Sequence, residues 1–163
     1  MARAQILAAT LLLAASLAGC TGFSPLYAEK GVAGGLTHIA VEAPDGRTAY
    51  LIRESLDDAF GKKRDEAAAY RLTFTLEESR TPRGLGPDNA ASRYELNLLV
   101  DWKLTAAAGD VVKVGRTEVL TTYGAADSPY AGVAAQQDGQ ERAATEAARR
   151  IRLEIAQFFA RQG

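Results

Sequence analysis

Tyr94, Leu96, Leu98, Val100, Trp102 and Leu104 stand two apart, interleaved with Arg93, Glu95, Asn97, Asp101 and Lys103. Successive side chains of a strand point to opposite faces, so this alternation predicts a strand with one apolar and one polar face. It runs for about thirteen residues, roughly twice the usual strand length. Tyr70, Leu72, Phe74 and Leu76 repeat the pattern against Arg71, Thr73, Thr75 and Glu77. Two such strands require something apolar to cover one side and leave the other side to water.

The flanking segments supply the cover. Leu51 or Ile52, Leu56, Ala59 and Phe60 recur at three- and four-residue spacing from Thr48 onward. That spacing predicts an amphipathic helix stopped by Gly61, with Lys62-Lys63-Arg64 complementing its negative end. Near the end of the chain, Asp127-Ser128-Pro129 reads as a helix start with Ser128 as cap. Ala144, Ala148, Ile151, Ile155 and Phe158 or Phe159 then line one face, opposite Glu141, Arg142, Glu146, Arg149 and Arg152. A helix over 130–160 would be about 45 Å long, close to the length of the long strands.

A short strand over 38–41 precedes the first helix, and Pro44-Asp45-Gly46 turns the chain after it. Residues 81–90 contain Pro82, Gly84, Gly86, Pro87 and Asn89 and read as a long irregular loop. After a turn at Gly109-Asp110, Val112 and Val114 share one parity while Val119, Thr121 and Tyr123 share the other. A β-bulge near Gly115 would restore the register. The order β-α-β-β-β-α predicts an α+β two-layer sandwich. Its four-stranded, mostly antiparallel sheet carries both helices on one face. Arg71, Thr73, Glu77, Glu95, Asn97, Asp101 and Lys103 would lie on the other.

The N-terminus addresses the chain. Arg3 is followed by an uncharged apolar run from Ile6 to Leu17 and then by Ala18-Gly19-Cys20. A charged start, a short apolar centre and a small-residue exit describe a secretory signal peptide over 1–19, too short to span a bilayer. Leu17-Ala18-Gly19-Cys20 resembles the lipobox of bacterial lipoproteins. That resemblance implies cleavage before Cys20, with a diacylglycerol thioether on its sulfur and an N-acyl chain (such as palmitate) on its amine. Thr21 is not the aspartate associated with inner-membrane retention, which favours the inner leaflet of the outer membrane. Residues 20–35 read as a lipidated tether, broken by Gly22, Gly31, Gly34, Gly35 and Pro25. Phe23, Pro25, Leu26 and Tyr27 are more apolar than a leash requires and would dock on the protein's own core or on a partner. Residues 36–163 form the single domain.

These features together resemble the lipopolysaccharide-assembly lipoprotein family LptE, in its alphaproteobacterial form. The resemblance rests on the lipobox, on Gly22-Phe23-Ser24-Pro25-Leu26-Tyr27, on the element order and on Asp127-Ser128-Pro129-Tyr130-Ala131. It implies a one-to-one partnership with the β-barrel LptD, whose lumen the protein plugs. It further implies help in folding that barrel, delivery of lipopolysaccharide to the cell surface and no catalysis. It also ascribes lipopolysaccharide binding to basic residues of the sheet and its hairpin tip, here Arg83 first, then Arg80 and Arg93. A guanidinium grips phosphate through paired hydrogen bonds, whereas most surface arginines are simply solvated.

Other functions find little support. The chain carries 19 Lys and Arg against 20 Asp and Glu, a balance without the basic excess that nucleic-acid binding demands. Cys20 is the only cysteine and His38 the only histidine, so no cysteine or histidine cluster for a metal exists and no cofactor is expected. Asp57-Asp58 and Glu77-Glu78 are adjacent carboxylates that read as solvated charges rather than an acid–base pair. The competing function is an auxiliary lipoprotein of an ABC-type phospholipid or solvent transport system, which would need an apolar cavity for acyl chains.

Overall fold

The computed structural model describes residues 30–61, 67–85, 91–126 and 128–162. The order is α1 (Lys30–Thr37), β1 (Ile39–Glu42), α2 (Arg47–Phe60), β2 (Tyr70–Leu85), β3 (Ala91–Ala106), β4 (Val111–Gly124) and α3 (Pro129–Ala160). The strands form one sheet in the order β1-β2-β3-β4. β1 runs parallel to β2, and β2-β3 and β3-β4 are antiparallel. The parallel pair follows from the β1-α2-β2 crossover, whose helix carries the chain back to the start of β2. The expected α+β sandwich is present, with one helix more than the periodicity indicated.

That helix is α1. Residues 20–35 read as a tether because glycines interrupt the pattern, yet α1 contains Gly31, Gly34 and Gly35. Its stability is tertiary: Val32 and Leu36 are buried, and Gly35 lies where an added Cβ would sit 2.9 Å from the Phe159 ring. Glycine there admits the ring. His38 Nδ1, 2.7 Å from the Gly34 carbonyl, satisfies a terminal acceptor of α1. Cys20, Phe23, Pro25, Leu26 and Tyr27 lie outside the described residues, as do Lys62, Lys63 and Arg64.

α2 ends as its sequence predicts. Gly61 adopts φ 61°, and its N–H donates to the Asp57 carbonyl at 3.1 Å. α3 begins with the Ser128 hydroxyl accepting from the Ala131 N–H at 3.2 Å, and it runs 32 residues to Ala160. Ala143, Ala144, Ala147 and Ala148 are buried along it, so small side chains let α3 approach α2 and the sheet closely. Ile151 and Ile155 complete the stripe, and both are fully buried.

β2 and β3 are each 16 residues long, longer than the alternation suggested. The segment read as a loop over 81–90 is strand through Leu85, and β3 resumes at Ala91; residues 86–90 lie outside the described residues. Pro82 does not break the ladder because its nitrogen faces away from β3. Even-numbered residues of β2 turn their backbone toward β1, as the Tyr70 N–H donating to the His38 carbonyl shows. Proline is tolerated where no ladder donor is required.

The parity conflict in β4 is resolved at a different place from the one expected. Leu104 pairs with Lys113 and Thr105 with Val111, so Val112 is the extra residue. Val112 packs against the core, while Val114 stays on the outer face, 62% exposed. Gly115 has another role: an added Cβ would lie 2.2 Å from the indole of Trp102. That indole fills the space and donates to Thr117 Oγ1 at 3.3 Å.

Candidate functional site

Strand parity sorts the three arginines expected to form one site. Arg83 and Arg93 are directly opposite each other on β2 and β3, on the outer face of the sheet. Like charges across a ladder repel, and Glu95 relieves this by accepting from Arg83 at 2.7 Å. That contact raises the Arg83 pKa, first through the hydrogen bond and then through the charge of Glu95. Both guanidinium groups are exposed, and the Glu95 carboxylate is paired with Arg83. The pair therefore presents a net positive fork near the hairpin end.

Arg80 is on the other side. Its guanidinium lies 4.7 Å from the centre of the Tyr94 ring and donates to Gln136 Oε1 at 3.1 Å and to Tyr123 Oη at 3.4 Å. The hydrogen bond to Tyr123 is the main reason its pKa is raised. Tyr94 and Tyr123 stack with ring centres 5.5 Å apart, and Gly139 of α3 leaves room for the Tyr123 ring. Arg80 thus ties α3 to the sheet. Reading proximity in sequence grouped it with Arg83; the two-residue period of the strand separates them.

Next to Arg80, the Glu78 carboxylate bridges both long helices. Its oxygens accept from Thr48 Oγ1 at 2.7 Å and from Gln140 Nε2 at 2.8 Å. Glu77, its neighbour, faces outward, so the adjacent carboxylates are divided between the two faces and form no catalytic pair. Among the described residues no group of carboxylate, histidine or cysteine side chains could hold a metal ion.

The outer face is a ladder of matched charges. Arg116 holds Asp101 with both arms, at 2.6 and 2.8 Å, and Arg71 pairs with Glu42. Asn97 donates to Glu118 at 2.9 Å. The Arg116 hydrogen bonds hold the Asp101 carboxyl below its ordinary pKa. Thr73, Thr75, Asp101, Lys103, Val114 and Arg116 line an open trough of about 810 Å³ on this face. The Thr73 hydroxyl is buried there without a partner among the described residues. The sequence marked Thr73, Asp101 and Lys103 as outer-face residues; the trough itself depends on how side chains of three strands are spaced.

At the start of α3, Tyr130 is 86% exposed and Val133 55% exposed. Neither side chain belongs to the core cluster.

A family model described as LptE, lipopolysaccharide assembly, matches residues 36–155, which span β1 to most of α3. The chain belongs to the LptE family. A Caulobacter crescentus CB15 protein described as a lipoprotein has a crystal structure that is 50% identical in sequence, with a TM-score of 0.71; the match covers 82% of this chain and 98% of that one. The rare lipoprotein B of Shewanella oneidensis shares the fold at 19% identity and a TM-score of 0.57, over 73% of this chain and 93% of that one. A lipoprotein B from Nitrosomonas europaea does so at 15% identity and 0.56, over 74% and 82%. No curated protein matches the chain in sequence. Membership assigns this LptE-family chain a part in lipopolysaccharide assembly, and no helix among its described residues is long and apolar enough to cross a membrane.

Proposed function

We propose that this chain is a non-enzymatic outer-membrane lipoprotein, held by acyl chains on Cys20. Its domain plugs the lumen of an LptD β-barrel at one to one. There it assists folding of the barrel and passage of lipopolysaccharide to the cell surface. The observation that carries the reading is the family match over the sheet-and-helix domain. The outer sheet face supports it physically. Barrel lumens are polar, and the face offers the ion pairs Asp101–Arg116 and Arg71–Glu42 and the hydrogen bond from Asn97 to Glu118, a surface suited to a polar wall.

Arg83 and Arg93 supply the lipopolysaccharide contact in this reading, since they stand opposite each other and the one carboxylate paired with Arg83 leaves a positive charge uncompensated for a phosphate. Arg80 would have to leave Tyr123 and Gln136 to join them. Phe23, Pro25, Leu26 and Tyr27 dock the tether on the barrel. The interior between sheet and helices is filled by side chains such as Leu98, Val100, Ile151 and Ile155, all fully buried. An acyl-carrying cavity of the kind a phospholipid transporter's auxiliary lipoprotein requires would have to displace them.

Depletion of the protein in its own bacterium tests this. The expected result is loss of folded barrel from the outer membrane together with retention of newly made lipopolysaccharide inside the cell. Normal barrel and surface lipopolysaccharide after complete depletion would contradict it.

A further inference from the structure

The two edges of the sheet are treated differently. β4 is an edge strand along its full length, and two arginines of α3 reach over that edge. Arg150 donates to the Glu118 carbonyl at 2.8 Å and Arg142 to the Thr122 carbonyl at 3.0 Å. Groups that an added strand would use are thereby taken, which is one way proteins prevent edge-to-edge pairing.

The other edge has no such guard. β1 ends at Glu42, opposite Thr73 of β2. β2 continues to Leu85 with its register to β3 unbroken from Tyr70 to Arg83. The even-numbered residues of β2 face the β1 side, because Tyr70 donates to His38 and the Ala69 carbonyl instead accepts from Ala107. The Phe74 carbonyl and the backbone N–H and C=O groups of Leu76, Glu78 and Arg80 therefore meet no strand among the described residues, while the Phe74 N–H faces the Glu42 carbonyl at the end of β1. This stretch is about 20 Å long at about 3.3 Å per residue. Pro82, the next residue of the same parity, has no N–H and marks its end.

We propose that the β2 edge from Phe74 to Arg80 is a strand-addition site for an extended segment of the barrel partner. The inference rests on the barrel reading given above and names where on this chain the contact forms. Main-chain hydrogen bonds would supply affinity, and side chains flanking the edge would supply specificity. Glu77 and Glu78 project from its middle on opposite faces and Arg80 near its end. On the outer face the incoming segment thus carries a cationic side chain beside Glu77, the Glu78 carboxylate on the other face being taken by Thr48 and Gln140.

A second copy of this chain fits the edge poorly. Two-fold antiparallel pairing centred on Glu77 or Glu78 sets identical carboxylates face to face. Pairing centred on Ser79 places Pro82, without a donor, opposite Leu76.

The test compares Glu78→Pro with Glu78→Ala in the intact lipoprotein. Both lose the Glu78 bonds to Thr48 and Gln140, but only proline removes the outward N–H and crowds an incoming strand. Barrel recovery in mild detergent should fall at least about tenfold for E78P relative to E78A, with matching thermal melts of the two purified variants. Equal recovery for both variants overturns the edge contact, whether both match wild type or both fall, while leaving the barrel reading intact. Failure of the wild-type protein to recover a barrel overturns the barrel reading itself. Should E78P melt well below E78A, backbone amide exchange of the wild-type protein decides. The Leu76 and Glu78 amides should exchange freely alone and become protected in the complex; unchanged exchange overturns the proposal.

Discussion

The sandwich is held together differently at its two ends. Near β1, Leu72 and Leu104 are fully buried in the core, and Tyr70 meets the Phe159 ring edge-on at 5.2 Å. Toward the hairpin, the helix-facing side of β2 changes to Glu78 and Arg80, which reach Thr48, Gln140, Gln136 and Tyr123 through hydrogen bonds. Apolar burial is non-directional and scales with area removed from water. Exposed polar contacts contribute about 1 kcal/mol or less each, because water competes for the same groups. The first end secures the fold by burial; the second holds α3 by polar contacts at the surface.

Truncation of Leu104 to alanine should have the largest effect, lowering unfolding free energy by about 2–5 kcal/mol in denaturant titration. Arg80→Ala should cost about 1 kcal/mol, since it loses two hydrogen bonds and a cation–ring contact at a partly wetted site. Equal costs for the two would break the contrast between the ends. Faster amide exchange in R80A confined to the first turns of α3 would sharpen it.

How much of this was legible in the sequence follows the same division. The alternation through Leu104 and the stripe from Ala144 to Phe159 report burial directly, so the sandwich and its core residues could be read. α1 could not, because its glycines argue against a helix and its stability comes from Val32 and Leu36 meeting distant partners. The strand through Pro82 was hidden for a related reason: whether proline breaks a ladder depends on which neighbour its nitrogen faces. The site was half legible. Arg83 and Arg93 were identified as candidates and do stand together, whereas Arg80 required strand parity to be carried past the last apolar residue. The arginine guards of β4 give no local signal, since they depend on how α3 lies across the edge.

Acid offers a smaller test of the β4 guard. Glu146 accepts from Arg149 at 2.7 Å and from Arg150 at 2.6 Å, and these bonds hold its pKa at about 2 rather than the ordinary 4.5. A depressed folded-state pKa contributes stability above pH 4.5 that is lost as pH falls toward 2. Glu146→Gln should therefore melt slightly below wild type at neutral pH, by less than about 1 kcal/mol. The gap should close on acidification through that window. A constant gap would mean the carboxylate is not what positions Arg150.

Arg83→Ala should have the smallest effect, leaving the unfolding midpoint in denaturant essentially unchanged, because its contact with Glu95 is exposed. The same change combined with Arg93→Ala should weaken lipopolysaccharide binding measurably. Unaltered binding in the double variant would confine Arg83 and Arg93 to the role of solvated charges.

The central claim, that this LptE-family domain works inside a barrel, is tested most directly by recovering the intact lipoprotein from its own outer membrane in mild detergent and quantifying what accompanies it. The account predicts one large β-barrel protein at one to one. Recovery with bound phospholipid or inner-membrane transporter subunits, and without a barrel, would contradict it.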